Sequence, residues 1–135
     1  MLEKYMDVID SVNKNFRLIT EHSEVFPTYV EAMINEDLVE KSVYIVKENL
    51  NKIKMVDKMD LIEEYAETGN IDNALEICNY WYETADVKEP PLTARIVGLF
   101  VAGKWNKAFE ESRSLYDKIG PELNVNLRGY VAKEL

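Results

Sequence analysis

Two residue types that carry much of protein chemistry are almost missing from this chain. His22 is the only histidine and Cys78 the only cysteine in 135 residues. A single cysteine permits no intrachain disulfide and no cysteine-based metal cage. A single histidine excludes His-based catalytic triads and paired-histidine metal sites. His22 reads as an exposed loop residue, and Cys78, between Leu75 and Tyr82 on an apolar helix face, as core. The 5 glycines form neither GxGxxG nor GxxxxGK[ST], so no phosphate-cradling loop is present. Carboxylates are plentiful, but Glu63, Glu64 and Glu67, like Glu110 and Glu111, recur at helical spacing and read as solvated faces. No enzyme chemistry and no cofactor follow from these residues, and the expectation is a non-enzymatic protein.

Basic residues are scarce as well. Against 25 Asp and Glu stand 16 Lys and Arg, for a formal net charge of −9. Affinity for nucleic acid comes largely from Lys and Arg on phosphates, so direct nucleic-acid binding is disfavoured, and a protein with a basic surface is the favoured partner. Long apolar runs are missing too: Ile96–Ala102 is the longest, far short of the ~18 residues of a membrane span. The opening residues, Met1–Asp7, are acidic early and lack the basic and apolar regions of a signal peptide. The expectation is a cytoplasmic protein without membrane contact. With only 5 Gly and 4 Pro there is little room for long loops, and a hydrophobic fraction of 47% supports a folded core.

No stretch alternates with period 2, so the chain reads as all-α, with about eight helices in one domain over residues 1–135. Residues 1–24 carry the first helix, where Leu2, Ile9 and Phe16, and likewise Tyr5, Val12 and Ile19, stand seven apart. This heptad stripe is a seam against a neighbouring helix or a homodimer face over residues 2–20. Residues 27–52 form a pair of helices, with Pro27 opening the first, a turn at Glu36-Asp37, and the second running to about Lys52. Residues 57–84 form the next hairpin, capped by Asp57 or Asp60, and residues 91–120 another, after a polar connector from Asp86 to Pro91. Gly120-Pro121 stops it, and residues 121–135 hold a last helix with Leu123, Leu127, Tyr130 and Val131 on one side.

The chain is organised around Gly69-Asn70-Ile71-Asp72-Asn73-Ala74-Leu75-Glu76, which recurs 34 residues later as Gly103-Lys104-Trp105-Asn106-Lys107-Ala108-Phe109-Glu110. Ile62 then falls on Ile96, and Tyr65 on Leu99. At an offset of 32 the first pair joins the register: Val30 matches Ile62, Met33 matches Tyr65, Val39 matches Ile71, Ser42 matches Ala74, and Val46 matches Cys78. Glycine permits the tight reversal, and a small residue lets two antiparallel helices approach closely. A period in this range marks stacked helical hairpins. The spacing resembles tetratricopeptide repeats, and Gly98-Leu99-Phe100-Val101-Ala102-Gly103-Lys104-Trp105 is also similar to pentatricopeptide repeats. The likeness is fullest over residues 57–120. It departs where the family places a small residue early in the first helix, here Ile62 and Ile96, and an aromatic near the helix start, here Lys58 and Leu92.

The resemblance implies a short right-handed array of antiparallel hairpins, an α-solenoid closed by a C-terminal capping helix. It also implies binding of peptides or protein surfaces on the concave face lined by the first helix of each hairpin. The matching positions are Met59, Glu63 and Glu67 in one unit and Thr93, Val97 and Phe100 in the next; they offer no Lys or Arg for a carboxylate clamp. Trp81, flanked by Tyr80 and Tyr82, is an outer candidate, because consecutive helical residues face different ways and one of the three must be partly exposed. Residues 96–101 leave almost no polar face, so the helix is expected to be buried all round, either under the last helix or under a partner helix. The reading is an adaptor or inhibitor that engages a basic or apolar surface of a protein partner. Three alternatives stay open: an acidic nucleic-acid mimic that blocks a DNA- or RNA-binding protein, an RNA-binding helical repeat, and a self-associating structural protein.

Overall fold

A computed structural model describes residues 22–119. The heptad helix expected over residues 1–24 lies, apart from His22–Glu24, outside the described residues, as does the helix expected over 121–135. Among the described residues there are six α-helices and no strand: α1 Val25–Asn35, α2 Val39–Glu48, α3 Met55–Glu67, α4 Ile71–Thr84, α5 Glu89–Val101 and α6 Trp105–Ile119.

The helices pair as α1–α2, α3–α4 and α5–α6, and three turns of one kind join them. Leu38 N–H donates to Met33 C=O, Asn70 N–H to Tyr65 C=O, and Lys104 N–H to Leu99 C=O, each at 2.8 Å. A shorter loop nests inside each: Asp37 N–H to Ile34, Gly69 N–H to Ala66, and Gly103 N–H to Phe100. These are Schellman caps, which need a left-handed residue one position past the helix. That residue is Asp37 at φ 59°, Gly69 at φ 84° and Gly103 at φ 79°. The first two are 32 residues apart and the last two 34, the offsets read in the sequence.

Just beyond each turn the small residue sits at the crossing of its hairpin. Ser42, Ala74 and Ala108 are each 0% exposed. The first helices line up as neighbours, α1 on α3 and α3 on α5; α2 packs on α4, and α4 on α5. Phe26, Tyr29, Val30 and Met33 from α1, Leu61, Ile62 and Tyr65 from α3, and Ile77 and Trp81 from α4 form one continuous core that reaches Ala94 on α5. At the closest approach, a Cβ on Gly98 would meet Ile62 Cγ2 at 3.1 Å and Ile71 Cδ1 at 3.8 Å.

Four boundaries differ from the sequence reading. Helix α1 starts at Val25, so Pro27 lies within its first turn rather than at its head. Helix α2 ends at Glu48 rather than near Lys52, and Leu50–Lys52 tighten into a 3₁₀ turn that drives Leu50 and Ile53 into the core. Neither Asp57 nor Asp60 caps α3; the helix starts earlier, at Met55, and Asp57 is buried in its first turn, accepting a hydrogen bond from Ser23. Helix α5 starts at Glu89 and absorbs Pro90 and Pro91 into its first turn, where the missing N–H groups cost no helical bonds.

Candidate partner-binding face

The side-by-side run of α1, α3 and α5 carries almost no cation. Helix α1 has no Lys or Arg, α3 has only Lys58, and α5 only Arg95. Both are turned toward other helices. Lys58 Nζ lies 4.8 Å from the centre of the Trp81 ring on α4, and burial lowers its pKa. Arg95 donates through Nε to Glu111 Oε1 at 2.6 Å and through a terminal nitrogen to Asn79 Oδ1 at 2.9 Å.

Three carboxylates of α3, Glu63, Glu64 and Glu67, are not balanced by a cation among the described residues. Burial raises the pKa of Glu63, and the charges of Asp60 and Glu67 add to it. Burial likewise raises Glu64, with Glu31 and Glu67 adding to it. Glu31 of α1 therefore lies near enough to Glu64 of α3 for the two charges to repel. Glu63, Glu64 and Glu67 have no ion-pair partner among the described residues.

The six concave-face candidates all retain some exposure: Glu67 is exposed, and Met59, Glu63, Thr93, Val97 and Phe100 are half-buried. Glu63 and Val97 hold equivalent positions on adjacent helices, so the acidic surface of α3 borders an apolar one on α5. Phe100 leans toward α6, where its ring meets Phe109 edge-on with centroids 5.5 Å apart. Helix α5 is not enclosed by the described residues as its composition suggests, since Val101 is 38% exposed.

Trp81 belongs to the core at 5% exposure, whereas its neighbours Tyr80 and Tyr82 are the exposed members of the trio. Each carries a cation over its ring: Lys47 at 5.5 Å from Tyr80, and Lys88 at 4.9 Å from Tyr82. Lys47 is in turn paired with Glu76 at 2.7 Å. Cys78 is buried, and burial pushes its thiol up to about 12, which leaves it protonated and unreactive at neutral pH.

A cleft on another part of the fold has almost no signature in the sequence. Helix α6 stands off from α4, and between them, floored by α5, is a cleft of about 760 Å³. Arg95, Asn79 and Glu111 are among the residues that line it, as are Tyr82, Ile96 and Leu115. Its one sequence signal is Arg95 itself, a lone cation in the apolar stretch from Leu92 to Val101, which has to find an acid once partly buried.

Among the described residues no three His, Cys, Asp or Glu side chains converge as a metal site, and no helix is long and apolar enough to cross a membrane. No protein-family model, curated protein or solved structure matches the chain.

Proposed function

We propose that the chain is a short right-handed array of helical hairpins resembling tetratricopeptide repeats, and that it acts as a non-enzymatic protein-interaction module, an adaptor or inhibitor. The partner is a protein segment that carries Lys or Arg beside apolar side chains. One observation carries the reading. The neighbouring helices α1, α3 and α5 present Glu63, Glu64 and Glu67, without ion-pair partners among the described residues, next to Val97, and their only two cations are held against other helices. The three turns at offsets of 32 and 34, each followed by a fully buried small residue, support the repeat assignment. A field of one sign steers an opposite partner and sets its orientation, and apolar contacts then hold it. The same three helices offer no free cation for phosphate, which weighs against the RNA-binding reading.

Peptide display against the full chain tests this. Selected peptides should be rich in Lys or Arg with apolar neighbours. They should lose binding to a Glu63→Lys/Glu67→Lys variant and weaken as salt rises. Peptides that ignore both changes, or retention of RNA homopolymer at moderate salt, would sink the proposal.

A further inference from the structure

The turn into α6 displays the chemistry that the carboxylates of α3 call for. From Lys104 to Glu110 two lysines stand against one acid, in a chain whose net charge is −9. Lys104 and Lys107 are exposed, and neither makes an ion pair among the described residues. Beside them Trp105 is 63% exposed and Phe109 40%. These two aromatics stand one turn apart on α6 and share a face of it. Phe109 is held by its edge-on contact with Phe100. Exposed apolar side chains gathered within a polar rim mark an interaction site.

We propose that this surface docks on the acidic face of a second copy of the chain. Lys104 and Lys107 of one copy lie against Glu63 and Glu67 of the next, and Trp105 and Phe109 rest on the apolar side chains beside them, Met59 and Val97. The proposal rests on the partner-binding role of that face and names its partner. The charges are complementary, and no existing ion pair has to break to form the contact, because Glu63 and Glu67, like the two lysines, make none among the described residues. The contact also relieves the repulsion that raises the pKa of Glu63. The two surfaces differ, so the contact is head to tail, and its repetition builds a ring or an open chain. One other exposed stretch sets lysines beside apolar side chains, Lys52 and Lys54 with Met55 and Val56. It has no aromatic residue, and tryptophan is the side chain favoured at the centre of an interface.

Sedimentation velocity of the full chain across a range of concentrations tests this. The weight-average mass should rise with concentration at low salt and fall back as salt is added. Glu63→Lys/Glu67→Lys and Lys104→Glu/Lys107→Glu should each stay at the monomer mass, because each sets like charge against like. An equimolar mixture of these two variants should associate again, because each reversed surface then meets its opposite, and that recovery also shows that both variants fold. Trp105→Ala should weaken association and leave its salt dependence in place, and Lys52→Gln/Lys54→Gln should leave it unchanged. Monomer at every concentration overturns the inference. So does association that survives either reversal, that the mixture fails to restore, or that the Lys52 and Lys54 variant abolishes. A monomer that still selects basic, apolar peptides by display would lose this inference alone, whereas failure of the display would strike the reading of the face itself.

Discussion

Ser23 Oγ donates to Asp57 Oδ2 at 2.6 Å, across 34 residues of chain, with both side chains buried. The same oxygen accepts from the Lys54 N–H at 3.2 Å, so one hydroxyl joins the residue ahead of α1 to the head of α3. A buried carboxylate with one such donor is costly to strand. Ser23→Ala is expected to destabilise the fold by about 1–3 kcal/mol. Ser23→Ala/Asp57→Asn should cost clearly less than the sum of its parts, since the amide can find another partner. Urea unfolding of the three variants measures this, and additive losses would show that the two residues act independently.

The three hairpin turns can be compared directly. Gly69 and Gly103 have positive φ, and a Cβ added at either would meet nothing within 4 Å, so substitution there strains only the backbone. Ala at either site is expected to cost about 1 kcal/mol. Asp37 occupies the same conformation at φ 59° with a side chain attached. Asp37→Gly should therefore leave stability unchanged or raise it by a few tenths of a kcal/mol, because removal of the strain is partly offset by the freer unfolded chain. Denaturant midpoints decide it; a loss at Asp37 as large as at Gly69 would mean that its side chain has a role of its own.

Why some of this is legible in the sequence and some is not follows from range. The turns depend on local chemistry: glycine where φ must be positive, a small residue five positions on. They can be read at Gly69–Ala74 and Gly103–Ala108, and by register at Asp37–Ser42, although aspartate hides the signal. The start of α3 is not legible, because Asp57 resembles a cap and only the fold brings Ser23 to it. Three adjacent aromatics cannot say which one faces in, so Trp81 looks like an outer anchor in the sequence; the packing of α4 turns Trp81 in and leaves Tyr80 and Tyr82 out. The Arg95–Glu111–Asn79 set joins three helices and has no local signature beyond the lone cation.

Ser42 takes the place of alanine at the first crossing, and the difference has a reason in the structure. Its Oγ donates to Val39 C=O at 2.6 Å, and Tyr65 O–H lies 2.6 Å away. A hydroxyl has one proton, so with that proton on Val39 it is Tyr65 that donates to Ser42. Tyr65 is 0% exposed, and burial keeps its phenol protonated well above neutral pH. Ser42→Ala matches the other two hairpins yet strands the Tyr65 hydroxyl, at an expected cost of about 1–3 kcal/mol. Tyr65→Phe in the same chain should recover most of that loss, as Met33 and Leu99 already fill the equivalent positions without a polar group. Thermal melts of the cycle test it, and a double variant as unstable as Ser42→Ala alone would mean that the loss is one of packing.

The acidic face gives a prediction of opposite sign. Burial and neighbouring charge raise the pKa of Glu63 above the ordinary carboxylate value. The folded chain then holds that proton more tightly than the unfolded chain does. Ionised Glu63 therefore works against the fold at every pH above its folded pKa, and the penalty disappears as the pH falls through that value toward the ordinary one. Glu63→Gln should stabilise the free chain at pH 7, by about 0.2–0.5 kcal/mol for each like-charge neighbour relieved along the helix. The advantage should shrink to nothing near pH 4, where the wild-type carboxyl is itself neutral. Urea melts of both proteins across that range read the difference; a gap that stays constant with pH, or favours the wild type at neutrality, would refute it. The same variant should bind a basic peptide more weakly than the wild type. A substitution that strengthens the fold and weakens binding is what a surface held under electrostatic strain for a cationic partner requires.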